Sequence, residues 1–194
     1  MTVAATRARF GVQDYYKMIE AGVFEDRRVE LLDGEIVEMS PSENPHHFTV
    51  HRIARLFRAL EARHGLYTFV QSPFAIPDQA SEPEPDLYVT RASLLDQAEQ
   101  KAGPQDVLLL IEVADSSLRK DRMDKLPLYA RAGIAEFWIV NLAEDCIEVY
   151  RSPDQAMGVY GEERIIARGE AICPKAFPEF SVAANVILPN RGDE

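Results

Sequence analysis

Hydrophobic positions along this chain recur with two different periods. Val50, Ile53, Leu56, Phe57 and Leu60 return at 3.6-residue spacing while Arg55 and Arg58 fall on the other side. That pattern predicts an amphipathic helix over 46–64, closed by Gly65. Period two takes over at 28–32 and 35–39, strand-like runs that flank Asp33-Gly34, the strongest short signal for a hairpin. The run 107–113 (VLLLIEV) is apolar throughout except for one acid, as in a strand buried on both faces.

Weaker patterns fill the rest. A short helix is expected over 14–20, stopped by Gly22. Residues 67–76 read as one bent or two short strands interrupted at Ser72-Pro73, and 77–85 as an irregular loop rich in proline and acid. A short strand over 86–90 and a polar helix over 91–101 follow. A helix over 121–132 ends at Gly133 and contains Pro127, which predicts a kink or a late start. A second hairpin is expected at 136–141 and 146–151, with later short strands at 159–167 and 180–183. Strands precede, interrupt and follow helices, so the class is α/β with a mixed sheet.

Composition narrows this picture. With 194 residues, 46% hydrophobic and 27% charged, the chain suits one domain spanning 1–194 and is too apolar for disorder. No apolar run reaches the ~18–20 residues of a membrane span, and the opening MTVAATRARF lacks the apolar core of a signal peptide. Cys146 and Cys173 have no metal-ligand or CxxC spacing and read as free thiols of a reduced, cytoplasmic protein. Lys and Arg number 21 against 32 Asp and Glu, a net charge of −11, which argues against a broad attraction to phosphate backbones.

Several polar residues then stand out. Glu112 sits in the apolar run, where a buried, unpaired carboxylate is expensive. It calls for a lysine, an arginine or a metal ion, unless it lies past the sheet edge in water. Asp86 follows Pro85 and is either a turn residue or a neighbour of Glu112 on the adjacent strand. Two oxygen donors converging from adjacent strands suit Mg²⁺ or Mn²⁺. Asp121, Lys125 and Tyr129, spaced by four, form one stripe on a helix, from which Lys125 could reach Glu112 or a phosphate. The plainer reading is an ordinary surface pair. Glu30, by strand alternation, is taken on its own as solvent-facing. His46 and His47 stand at the helix entrance, where either could meet a ligand or simply face water. No GxSxG elbow, Gly-rich phosphate loop or HExxH is present.

In order, these pieces carry a resemblance. They are Glu30-Leu31-Leu32-Asp33-Gly34-Glu35, Pro41…His47, Pro85-Asp86, Leu110-Ile111-Glu112-Val113…Ser116, Asp121…Lys125…Tyr129 and Gly133-Ile134…Glu136-Phe137-Trp138-Ile139. Over about 15–150 the chain resembles the Uma-two family of restriction endonucleases, within the PD-(D/E)xK phosphodiesterase superfamily. The resemblance implies a restriction-endonuclease-like core, a mixed central β-sheet flanked by helices, with additional β-hairpins; the short C-terminal strands of 155–188, beyond the resemblance, are expected to pack on it. It implies a metal-dependent endonuclease acting on nucleic acid, with DNA ahead of RNA. Asp86 and Glu112 would be metal ligands, Glu30 an additional acidic ligand, and Lys125 the catalytic lysine. His47, Asp121 and Tyr129 would be supporting residues. The chain departs from the superfamily pattern after Glu112, where Val113 and Ala114 leave no lysine two residues on. Lys125, from the following helix, matches instead.

Two other readings compete. A catalytically silent nuclease-fold domain, serving binding or assembly, fits the missing local lysine and the acidity. A sugar hydrolase using Glu30 and Glu112 as an acid/base pair would need no metal. The charge is not uniform, however: 46–64 and 116–131 each carry net +3. Arg55, Arg58, Arg119 and Lys120 are the candidate nucleic-acid contacts, and a homodimer would suit double-strand cleavage. The expectation is weak, salt-sensitive, metal-dependent binding through a narrow contact.

Overall fold

The computed structural model describes residues 7–39, 43–96 and 102–190. Of the sequence expectations, the opening six residues, Pro41 of the family pattern and the end of the expected 91–101 helix lie outside them. Helix α1 (Val12–Glu20) leads to the hairpin of β1 (Val29–Leu32) and β2 (Glu35–Glu38), turning at Asp33-Gly34 as expected. Helix α2 (Asn44–His64) ends at Gly65 with φ +62°, the left-handed cap glycine supplies at little cost. Strands β3 (Leu66–Val70), β4 (Leu87–Arg91) and β5 (Leu109–Ala114) follow. A helical stretch then comprises α3 (Leu118–Lys120), a π-helical turn (Asp121–Lys125) and α4 (Leu126–Arg131). Strands β6 (Glu136–Asn141), β7 (Cys146–Asp154), β8 (Val159–Ala167), β9 (Ala171–Ile172) and β10 (Val182–Ala183) and the short helix α5 (Ala184–Ile187) complete the described chain.

Six strands form the central sheet in the order β3-β4-β5-β6-β7-β8. Only β5 and β6 are parallel. A parallel pair needs a crossover, and the 118–131 stretch provides it. Alternation along β5 sends Leu109, Ile111 and Val113 to the face covered by Val50, Ile53 and Phe57 of α2. Leu110 and Ala114 go to the opposite face, with Leu128 and Tyr129 of α4, Phe137 and Tyr150. Glu112 shares that second face, and this is the origin of the site.

The structure departs from the sequence pattern in four places. Residues Ala92–Asp96 form a 3₁₀ turn, not the start of an α-helix. Leu94 is buried there, which holds the turn against the core directly after β4. Strand β3 ends at Val70, because Gln71 turns to φ +44° and Pro73 has no amide hydrogen to continue a ladder. The helix expected at 121 begins at Leu118 and widens to a π turn just before Pro127, with the Leu126 amide donating back to Asp121 O. The strand expected at 180–183 is reduced to β10, paired with the unanticipated β9. No helix among the described residues is long and apolar enough to cross a membrane.

Candidate active site

The register places the acids. Leu87 of β4 faces Ile111 of β5, so one step outward Asp86 and Glu112 stand abreast at the same sheet edge. The Asp86 amide donates to Glu112 Oε2 at 3.4 Å, and Asp86 Oδ2 accepts the Val113 amide at 2.9 Å. Both acids are buried, at 9% and 3% exposure. The turn-residue and water-facing alternatives for Asp86 and Glu112 therefore do not describe this fold.

Glu30 is buried too, at 1% exposure, against the solvent-facing expectation. The reason is tertiary: β1 is not a free hairpin arm but bridges Leu31 to Glu82, which lays the hairpin over the sheet edge. Glu30 Oε2 accepts the Glu84 amide at 3.2 Å, and Lys120 Nζ reaches Oε1 at 2.5 Å. Lys125 lies between two of the carboxylates, 2.8 Å from Glu112 Oε1 and 3.5 Å from Glu30 Oε2. The Tyr129 hydroxyl donates to Glu112 Oε1 at 2.8 Å, and Ser117 donates to Asp121 Oδ2 at 2.8 Å. Thus Asp86, Glu112, Glu30, Lys125, Asp121 and Tyr129, drawn from four elements and the residue before β4, share one neighbourhood.

Of the two histidines it is His46 that touches this group. It donates from Nε2 to Asp86 Oδ2 at 3.0 Å, while its Nδ1 is buried without a partner among the described residues. His47 meets the His46 ring edge-on at 5.6 Å. Lys120 lies inside the site, whereas Arg119 is exposed on α3. Arg55 and Arg58 are exposed, nine and twelve residues along α2 from His46, or ~14 and ~18 Å at the helical rise. Sequence reasoning passed over Gln71, Ser117 and the Arg28–Glu84 pair, all of which line the cavity. A lone glutamine beside Ser-Pro and a serine before a helix read as turn and cap residues, so nothing local marked them.

The cavity holds about 360 Å³. It counts Glu30, Asp86, Glu112 and Asp121 among its walls, faced by Lys120, Lys125 and His46. Burial, helped by the like charges of Asp121 and Asp86, pushes the Glu112 carboxyl up to about 8 in spite of Lys125. Burial likewise raises Asp121. For Glu30 burial acts upward, but Lys125 and Lys120 outweigh it and hold the carboxyl below its ordinary value. Burial alone would favour a neutral Lys125 amine; Glu112, Glu30 and Asp121 together reverse this and raise its pKa. Four buried carboxylates thus share two ammonium groups, and the deficit is one of positive charge.

That deficit, with hard oxygen donors on Asp86 and Glu112 at the cavity wall, fits a divalent cation such as Mg²⁺ or Mn²⁺. Among the described residues, the only three potential ligand atoms within 4.8 Å of one another belong elsewhere, to Glu144, Cys146 and Glu148. Cys146 and Cys173 are free, as expected, but the fold brings Cys146 between two acids, which its spacing did not suggest. This second group does not fit a metal. Both Glu148 oxygens are taken, by Arg122, Asn141 and Tyr150 at 2.7–3.0 Å, and burial beside Glu148 and Glu144 raises the Cys146 thiol.

The Uma2 family model, described as a putative restriction endonuclease, matches residues 12–186. Among solved structures, the chain is similar to that of a putative nuclease belonging to DUF820 from Anabaena variabilis, with a TM-score of 0.65 and 14% identity. That likeness covers 84% of this chain and 90% of the other, and it concerns the fold. No curated protein matches this chain.

Proposed function

We propose that this chain, which belongs to the Uma2 family of putative restriction endonucleases, is a metal-dependent nuclease that hydrolyses phosphodiester bonds, with DNA as the first candidate substrate. The observation that carries the reading is the buried pair Asp86, just before β4, and Glu112, abreast of it on β5, with Lys125 on Glu112 and too little positive charge around them. Asp86 and Glu112 would hold Mg²⁺ or Mn²⁺, with Glu30 as a further carboxylate. Such a cation, when bound, polarises a phosphoryl oxygen and makes water more acidic.

The chain's own groups have distinct parts. His46 and the Val113 amide fix Asp86 through Oδ2. Tyr129 fixes Glu112 through Oε1. Lys125 Nζ carries a positive charge into a buried site, where it stabilises negative charge that grows on the phosphoryl group or orients the attacking water. Glu30 holds Lys120 and Lys125 in place from the other side. Asp121, spent on Ser117, supports the lysine electrostatically.

The test is cleavage of single- and double-stranded DNA, and of RNA, with Mn²⁺ or Mg²⁺. Asp86→Ala, Glu112→Ala and Lys125→Ala are each expected to reduce the rate by at least ~100-fold; activity unchanged in all three would overturn the site. A silent binding module is the second reading. Its support is that Lys125 already bridges Glu112 and Glu30, and that the three acids do not gather three ligand atoms within 4.8 Å. Calorimetry separates the two, since the silent module predicts no Mn²⁺ binding at this site.

A further inference from the structure

Gln71 continues the row of acids. Val70 faces Leu87 in the β3–β4 ladder as Leu87 faces Ile111 in the next, so Gln71, Asp86 and Glu112 stand abreast across three strands at one edge. The Gln71 amide donates to Asp86 O at 2.9 Å, which ties its backbone to the metal-ligand candidate beside it. The side chain lines the same cavity.

Two features of Gln71 have no explanation in the fold alone. Its φ is +44°, a conformation that costs a non-glycine residue on the order of 1 kcal/mol and collects at functional sites. Its carboxamide has no side-chain partner among the described residues. The other donors in the cavity are committed: Arg28 to Glu84, Lys120 to Glu30, Lys125 to Glu112 and Glu30, and Ser117 to Asp121. His46 gives Nε2 to Asp86, which leaves its buried Nδ1 and Ser116, exposed on the loop after β5, as the exceptions among the described residues. A carboxamide N–H also supplies a neutral donor, beside the acids and the paired cations of the cavity wall.

Resting on the phosphodiesterase reading of the site, we propose that Gln71 is a substrate-contacting residue whose carboxamide N–H binds a non-bridging oxygen of the phosphodiester. Asp86 and Glu112 then serve the cation while Gln71 serves the phosphate next to them in the row. The backbone conformation aims the side chain at the cavity instead of continuing β3.

Inorganic phosphate, titrated calorimetrically into the Mg²⁺-loaded protein, reads this contact without requiring turnover. Gln71→Ala and Gln71→Glu are expected to weaken phosphate binding about tenfold or more, the loss of one hydrogen bond to a charged group. Both should raise KM for an oligonucleotide more than they lower kcat. Gln71→Gly accepts φ +44° without strain, so it should keep the wild-type melting temperature and still lose phosphate. Wild-type affinity for phosphate in Gln71→Ala, or no phosphate binding by the wild type, overturns the proposal. Phosphate binding that follows Gln71 in a protein that cleaves no nucleic acid upholds Gln71 and sinks the nuclease reading. Cleavage that needs Asp86 and Glu112 but ignores Gln71 does the reverse.

Discussion

Glu112 and Lys125 set the energetics of this site at the scale of single residues. Each is almost fully buried, so removing Lys125 leaves Glu112 and Glu30 short of a counter-charge. Lys125→Met should cost ~3–5 kcal/mol at pH 7.5, as breaking a buried pair does. The pH dependence has a definite sign. A carboxyl raised to about 8 in the fold, against an ordinary 4.5, destabilises the folded state fully above 8 and ceases to do so below 4.5. Losing Lys125 removes the strongest influence that opposes this rise. The deficit of Lys125→Met relative to wild type should therefore widen as the pH rises from 7 through 8 towards 9.5, measured by urea denaturation. A deficit that does not change with pH would contradict the charge balance drawn here.

The π turn is the element that decides where Lys125 points. Its wider spacing ends just before Pro127, and it is pinned to β7 by Arg122, which reaches both oxygens of the fully buried Glu148 at 2.7 and 3.0 Å. Asn141 and Tyr150 complete the shell of that carboxylate. Burial pushes Glu148 upward, but these hydrogen bonds outweigh it and hold its pKa below the ordinary value. A depressed carboxyl stabilises the fold above its unfolded pKa and loses that contribution as the pH falls through the folded one. Glu148→Gln is expected to cost ~1.5–3 kcal/mol at neutral pH. The gap from wild type should close below about pH 4.5, in melts recorded from pH 7 to pH 3. The same variant should slow nucleic-acid cleavage although Glu148 lies outside the cavity, because the turn carrying Lys125 loses its anchor.

At the scale of the molecule, a net charge of −11 and a cavity walled by acids leave little room for a broad phosphate-binding coat. Arg55 and Arg58 lie well along α2 from the site, so contact with a nucleic acid is confined to the few groups at the cavity mouth. About two phosphate contacts predict a fall in oligonucleotide affinity of about tenfold between 50 and 200 mM salt. Anisotropy of a labelled oligonucleotide in Ca²⁺ measures it; a fall of several hundredfold would place a much larger basic surface in the complex. Divalent cation should strengthen this binding, since it meets the charge deficit around Glu112.

Much of the architecture was legible in the chain: the Asp33-Gly34 hairpin, α2 with its Gly65 stop, the doubly buried β5 and the β6–β7 hairpin. These depend on local periodicity and turn chemistry, which neighbouring residues carry by themselves. Asp86 beside Glu112 was also foreseeable, because adjacent strands bring their ends together. The rest required the tertiary structure. Glu30 looked solvent-facing until the Leu31–Glu82 bridge folded its hairpin over the sheet edge. Only packing chose His46 over His47 for Asp86, and only strand register put Gln71 in the row of acids. Lys125 reaches Glu112 through a π turn that helical spacing at 100° per residue does not describe. Sequence period states which face a residue takes on its own element. Which faces meet, and how many charges then share one buried volume, is decided when the elements pack.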